Sequence, residues 1–152
     1  MAEQQWNQQY NVGVEALDEE HRGLFSRLQE LEDAIAQSAA HEKAMGILRK
    51  IAESTRDHFQ GEEAQMQELQ YPGITLHRAN HQRLMEKLLA FAARYVSGGQ
   101  KLDHHALNFL RDWLLYHIQN DDARYGSWLQ DRERAQARAQ QTQQTHAAGQ
   151  SA

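Results

Sequence analysis

Residues 41–73 read HEKAMGILRKIAESTRDHFQGEEAQMQELQYPG, a long run with no proline before Pro72. Leu48, Ile51, Met66 and Leu69 recur on one face at helical spacing, which predicts a helix from about His41 to Gln70. Tyr71-Pro72-Gly73 is its stop, because proline disfavours helix in the residue before it and glycine suits the turn. Between Ile51 and Met66 the same face carries Thr55, His58 and Glu62. A stripe that should be buried turns polar in its middle.

The flanking sequence repeats the pattern. Asp18 is the expected N-cap of a helix to about Ser38, with the stripe Leu24, Leu28, Leu31 and Ile35 and with Phe25 beside it. A third helix is predicted from about Thr75 to Ser97, through Leu84, Leu88, Phe91 and Tyr95, ending at Gly98-Gly99. Asp103 caps a fourth, with Leu107, Leu110 and Leu114 on one stripe and Trp128 further along. Four helices of similar length joined by short loops make an all-α, antiparallel up-down-up-down four-helix bundle. The residues before about Leu17, with Trp6, Tyr10, Val12 and Val14, show no helical period and read as an extended arm. One domain over 1–131 is expected, followed by a Gln-, Ala- and Arg-rich tail, 132–152. That tail has no face to bury, so it is expected to be disordered or to fray.

Composition excludes several classes. The chain has 152 residues, no cysteine, one proline and a net charge of −5. Disulfides, thiolate nucleophiles and cysteine-held clusters are therefore ruled out. The acidic balance argues against nucleic acid and against an anionic membrane surface as partner. No apolar run approaches the ~18 residues of a membrane span, and the first residues lack the basic and apolar regions of a signal peptide. A cytoplasmic protein is the expectation.

Each predicted helix carries histidine on its buried stripe: His21 in the first, His58 in the second, His77 and His81 in the third, His117 in the fourth. Burying these imidazoles with nearby carboxylates and no strong partner costs several kcal/mol, whereas a shared metal uses their lone pairs directly. His58 and Glu62, and His77 and His81, are i,i+4 pairs, each with side chains about 6 Å apart on one side of its helix. In an antiparallel bundle all of these positions fall toward one end, and they are too many for one ion. After His117 come Asp121 and Asp122. At about 100° per residue, Asp121 shares the His117 face better than Asp122 does. His41, His104, His105 and His146 lie off the stripes and read as solvated, as do Glu15, Glu63 and Glu68.

The set Asp18-Glu-Glu-His21, His58-Phe-Gln-Gly-Glu62, Met66, Tyr71-Pro72, His77-x-x-x-His81, Trp113 and His117-x-x-x-x-Asp122 resembles the hemerythrin family, its single-domain bacterial members in particular. The resemblance spans about residues 6 to 128. It implies a non-haem di-iron centre, oxo- or hydroxo-bridged, that binds dioxygen reversibly. By that resemblance His77, His81 and His117 hold one iron, His21 and His58 the other, and Glu62 and Asp122 bridge them. The family spacing thus selects Asp122 where periodicity favours Asp121.

A donor set of five imidazoles and two carboxylates suits iron, zinc or copper rather than magnesium or calcium. Ferritin-like di-iron sites hold more carboxylates and fewer histidines. With fewer anionic ligands to stabilise oxidised iron, oxygen is expected to be bound and released rather than cleaved. Counting ligands leaves one coordination position open, on the iron with two histidines. Leu24, Phe59, Trp113, Leu114 and Ile118 flank the ligands and are expected to wall an apolar dioxygen pocket. A dioxygen carrier, store or sensor is the expected function, in a monomer, with an oxygen-consuming enzyme as a partner for delivery. A di-iron enzyme acting on peroxide or nitric oxide is the alternative, and it needs a proton route to the open position that the sequence does not supply. A metal-storage bundle is the third class.

Overall fold

The computed structural model describes residues 6–97 and 101–150. It is all-α among those residues: α1 (Glu15–Ala36), α2 (His41–Leu69), α3 (Ile74–Val96), α4 (His104–His117), a five-residue π-helical turn (Ile118–Asp122), and α5 (Ala123–Gly149). The last three run on without a break and act as one long fourth helix, giving the expected four-helix bundle. α1 packs on α2 and α4, and α2 packs on α3. The expected end of the third helix at Gly98-Gly99 lies outside the described residues.

Local chemistry explains the element ends. Asp103 caps α4 as expected, its carboxylate accepting the Ala106 N–H at 2.9 Å. α2 stops through Gln70, which adopts the left-handed conformation (φ 58°), while the Tyr71 N–H closes back on the Met66 carbonyl at 2.9 Å. Gln70, rather than a glycine, thus makes the reversal, and Pro72 follows it. Asp18 is not a cap. α1 begins one turn earlier, and Asp18 is buried within it, with its carboxylate accepting the Val12 N–H at 2.7 Å.

That bond fixes the arm. Trp6 and Tyr10 flank Phe25 with ring centroids 5.3 and 6.0 Å away, and the arm contains a 3-10 turn at Gln8–Tyr10. Gly13 sits at φ +83°, and its carbonyl accepts from Gln130 at 2.8 Å. Gly126 makes the close approach to α5, since a Cβ there would lie 2.5 Å from the Val12 carbonyl oxygen. Both partners of that contact are held, so the clash cannot be relieved by a flexible side chain. Gly126→Ala is expected to destabilise by about 1–3 kcal/mol, as overpacking does. A calorimetric Tm within a degree of the parent would contradict this packing.

The apolar core is built from Leu24, Leu28 and Leu31 of α1, Leu48 and Ile51 of α2, Leu88 and Phe91 of α3, and Leu107 and Leu110 of α4, all buried. Each such side chain contributes roughly 1.5–3 kcal/mol by leaving water. Ile35, Leu69, Leu84 and Trp128, also expected in the stripes, are only half-buried. In the tail, α5 stays helical through Gly149, with residues 133–150 exposed. Its Ala, Gln and Arg residues are strong helix formers, so it needs no buried face to be helical.

Candidate metal centre

Seven polar side chains converge inside the bundle, all buried: His21, His58, Glu62, His77, His81, His117 and Asp122. Two sets have ligand atoms mutually within 4.8 Å, His77/His81/His117/Asp122 and His21/His58/Asp122. Asp122 belongs to both. Its Oδ2 lies 2.9 Å from His21 Nε2, while its Oδ1 lies 3.1 Å from His77 Nε2 and 3.0 Å from His117 Nε2. Glu62 spans the sets in the same way, with Oε1 3.1 Å from His77 Nε2 and Oε2 3.3 Å from His58 Nε2. Each carboxylate therefore turns one oxygen toward each histidine set.

The π turn produces this register. In a regular α-helix Asp121 would share the face of His117. The wider turn at Ile118–Asp122 carries Asp122 inward instead, fully buried. Such turns are rare and recur at functional sites. Asp121 takes the outer position, where its Oδ2 accepts from His117 Nδ1 at 2.9 Å and from Asn80 Nδ2 at 3.0 Å.

Two further histidines have outer carboxylates. His58 Nδ1 donates to Glu20 at 2.5 Å and His81 Nδ1 to Glu63 at 2.8 Å. The bonds from His58 and His117 hold Glu20 and Asp121 below the usual carboxylate pKa, so both are acceptors. With hydrogen on Nδ1, the Nε2 lone pair of each ring points to the centre, the arrangement used by metal-ligating histidines. Sequence reasoning missed these partners. Glu63 was expected in solvent, and Glu20 and Asp121 had no assigned outer role. Only the adjacency of Glu20 to His21, of Glu63 to Glu62 and of Asp121 to Asp122 hinted at them.

The inner atoms fit a cation. His21 Nε2, His58 Nε2, His77 Nε2 and both oxygens of Glu62 and Asp122 are buried without a hydrogen-bond partner, and His81 Nε2 faces His117 Nε2 at 3.1 Å. Such a bunching of lone pairs is several kcal/mol unfavourable unless a positive charge sits among them. The electrostatics point the same way. Burial would lower His77 and His117, but Asp122 and Glu62, with Asp121 on His117, raise them to about 9 and about 10. Burial and the charges of His117 and His77 push His81 down to about 2. Burial, together with the charge of Asp122, pushes Glu62 up.

The hemerythrin HHE cation binding domain family matches residues 12–129, which contain all seven converging side chains. The chain belongs to the hemerythrin family. Myohemerythrin-1 of Phascolopsis gouldii is 30% identical over 122 residues, covering 79% of this chain and 89% of its own. Bacteriohemerythrin of Stenotrophomonas maltophilia is 27% identical over 121 residues, covering 79% and 77%. A crystal structure of wild-type hemerythrin superposes with a TM-score of 0.75 at 25% identity, covering 83% of this chain and 97% of the other.

Beside this hemerythrin centre lies a small apolar cavity of about 20 Å³, walled by Phe59, Leu84, Leu88, Trp113 and Leu114 among others. Of the five residues expected to form a pocket, Phe59, Trp113 and Leu114 meet there. Leu24 instead lines a surface groove with Glu20 and His58, and Ile118 is buried within the π turn. The Phe59 ring lies flat on His81, with centroids 3.8 Å apart and planes at 7°. It stands edge-on to His117 at 5.5 Å and tilted to His58 at 5.8 Å. Phe59 therefore separates the cavity from histidines of both sets.

Proposed function

We propose that this hemerythrin is a dioxygen carrier or store rather than an enzyme, acting as a monomer in the cytoplasm and delivering to an oxygen-consuming partner. His77, His81 and His117 would hold one iron, His21 and His58 the second, and Glu62 and Asp122 would bridge them. The carrying observation is that two buried histidine sets share both carboxylates, one oxygen turned to each. An iron pair held there would supply the electrons for reversible binding of dioxygen. No described helix is long and apolar enough to cross a membrane.

The rest is done by the chain. Glu20, Glu63 and Asp121 hold hydrogen on Nδ1 of three ligand rings, which fixes their orientation and strengthens Nε2 as a donor. Phe59 and Leu114 keep water from the centre. Thr55 is the one hydroxyl on the cavity wall, and it donates to the Ile51 carbonyl at 2.7 Å. Among the described residues the cavity wall thus carries no acid and no unengaged hydroxyl, which favours release of oxygen unchanged over its reduction.

Leu114→Ala tests this reading. The truncation opens the cavity to water, so oxidation of the oxygenated protein to the ferric form is expected to be several-fold faster with iron content unchanged. The substitution also costs about 2–5 kcal/mol, so the comparison is made well below the variant's Tm. An autoxidation rate equal to the parent would remove Leu114 from the oxygen pocket. Steady turnover of hydrogen peroxide or nitric oxide by the parent would overturn the carrier reading.

A further inference from the structure

A groove of about 340 Å³ runs between α3 and the fourth helix, on the outer side of the His117–Asp121 pair. Its size suits a small organic molecule. Arg83, Lys87 and Arg124 line it, and none of the three forms an ion pair among the described residues. The one lining carboxylate, Asp121, is already engaged with His117 and Asn80. Three cations without a described ion pair around one cleft stand out on a chain whose net charge is −5, although Arg83 also donates to Asn80 at 3.4 Å. A cleft of this size has room for one phosphate group among the three cations.

The walls specify the rest of the ligand. Trp113 and Tyr116 line the same groove, and Lys87 Nζ lies 5.3 Å above the Trp113 ring, so cation and aromatic surface are presented together. Tyr116 is 67% exposed and Phe109, 6.0 Å from Trp113, is 60% exposed, so the aromatic strip is not consumed by the core. Flat rings beside an excess of cations match a planar aromatic molecule bearing a negative charge. We propose that this groove binds a phosphorylated aromatic, a flavin or nucleotide monophosphate, with the phosphate on Arg83, Lys87 and Arg124 and the ring against Trp113 and Tyr116.

The test uses the full-length iron-loaded protein titrated with flavin mononucleotide, adenosine monophosphate, riboflavin and inorganic phosphate, followed by protein and flavin fluorescence. One of the two monophosphates is expected to bind one per chain with a micromolar Kd, and the tighter of the two identifies the source. The double variant R83E/K87E should weaken that binding roughly tenfold or more, and riboflavin should bind correspondingly less well than flavin mononucleotide. Neither residue touches the seven-residue centre, so iron content should match the parent, and ligand binding is read without reference to dioxygen; the result is thus independent of the oxygen-carrier reading. The proposal is overturned if neither monophosphate binds below millimolar concentration. It is equally overturned if R83E/K87E binds as the parent does, if riboflavin binds as tightly as flavin mononucleotide, or if inorganic phosphate binds as tightly as either monophosphate.

Discussion

Asp122→Ala is expected to lower the iron content from about two per chain to below one. Asp122, like Glu62, faces both histidine sets, so its loss would remove a donor from each iron at once. It also leaves His21, His77 and His117 without the carboxylate that faces all three Nε2 atoms at 2.9–3.1 Å. Removing one partner of a buried charged group typically costs about 3–5 kcal/mol, so a large fall in Tm should accompany the loss of metal. Asp121→Asn is the control. It keeps the shape at the outer position but weakens the bond to His117 Nδ1, so both irons should remain, bound roughly 10–100-fold less tightly. Iron analysis and calorimetry of the two variants separate the roles. If Asp121→Asn loses the metal and Asp122→Ala keeps it, the inner and outer assignments are reversed.

Phe59→Ala is expected to be the most damaging apolar substitution near the centre. The ring is buried, covers one face of His81, and contacts His117 and His58 edge-on or tilted. Truncating a buried phenylalanine costs about 3–5 kcal/mol. In a chain of this size that is a Tm lower by roughly 10 °C. The variant also joins the cavity to the ligand rings, so water should reach His81 and the ferric form should accumulate faster. Phe59→Leu, which keeps most of the volume, should lose much less stability. A Tm for Phe59→Ala within two degrees of the parent would show that the ring does not seal the centre.

The bundle and the inner ligands were legible because both rest on one periodicity. A histidine in register with Leu24, or with Leu48 and Ile51, must be buried if the helix forms, and only a shared partner makes that burial tolerable. The same rule failed at Asp122. Periodicity assumes a regular helix, and the π turn at Ile118–Asp122 breaks it, so the inward placement of Asp122 agrees with the resemblance rather than with the spacing. The outer carboxylates were hidden for a different reason. Glu20 and Glu63 sit on helix faces that read as solvent-exposed, and their bonds to His58 and His81 depend on how neighbouring helices rotate. Asp18 misled because the preference for Asp at helix starts is local, whereas its bond to the Val12 N–H is made by the arm folding back. The tail has no apolar face. Helix propensity alone accounts for its conformation through Gly149.

Absorption spectra of the reduced protein, taken through repeated cycles of dioxygen and argon with iron counted in the same sample, test most directly that these seven side chains build a reversible oxygen site. The prediction is about two irons per chain. Near-ultraviolet and visible charge-transfer bands should appear with dioxygen and vanish without it over several cycles. One zinc or less than one iron per chain after anaerobic iron loading, or bands that persist once oxygen is removed from the first cycle, would contradict it.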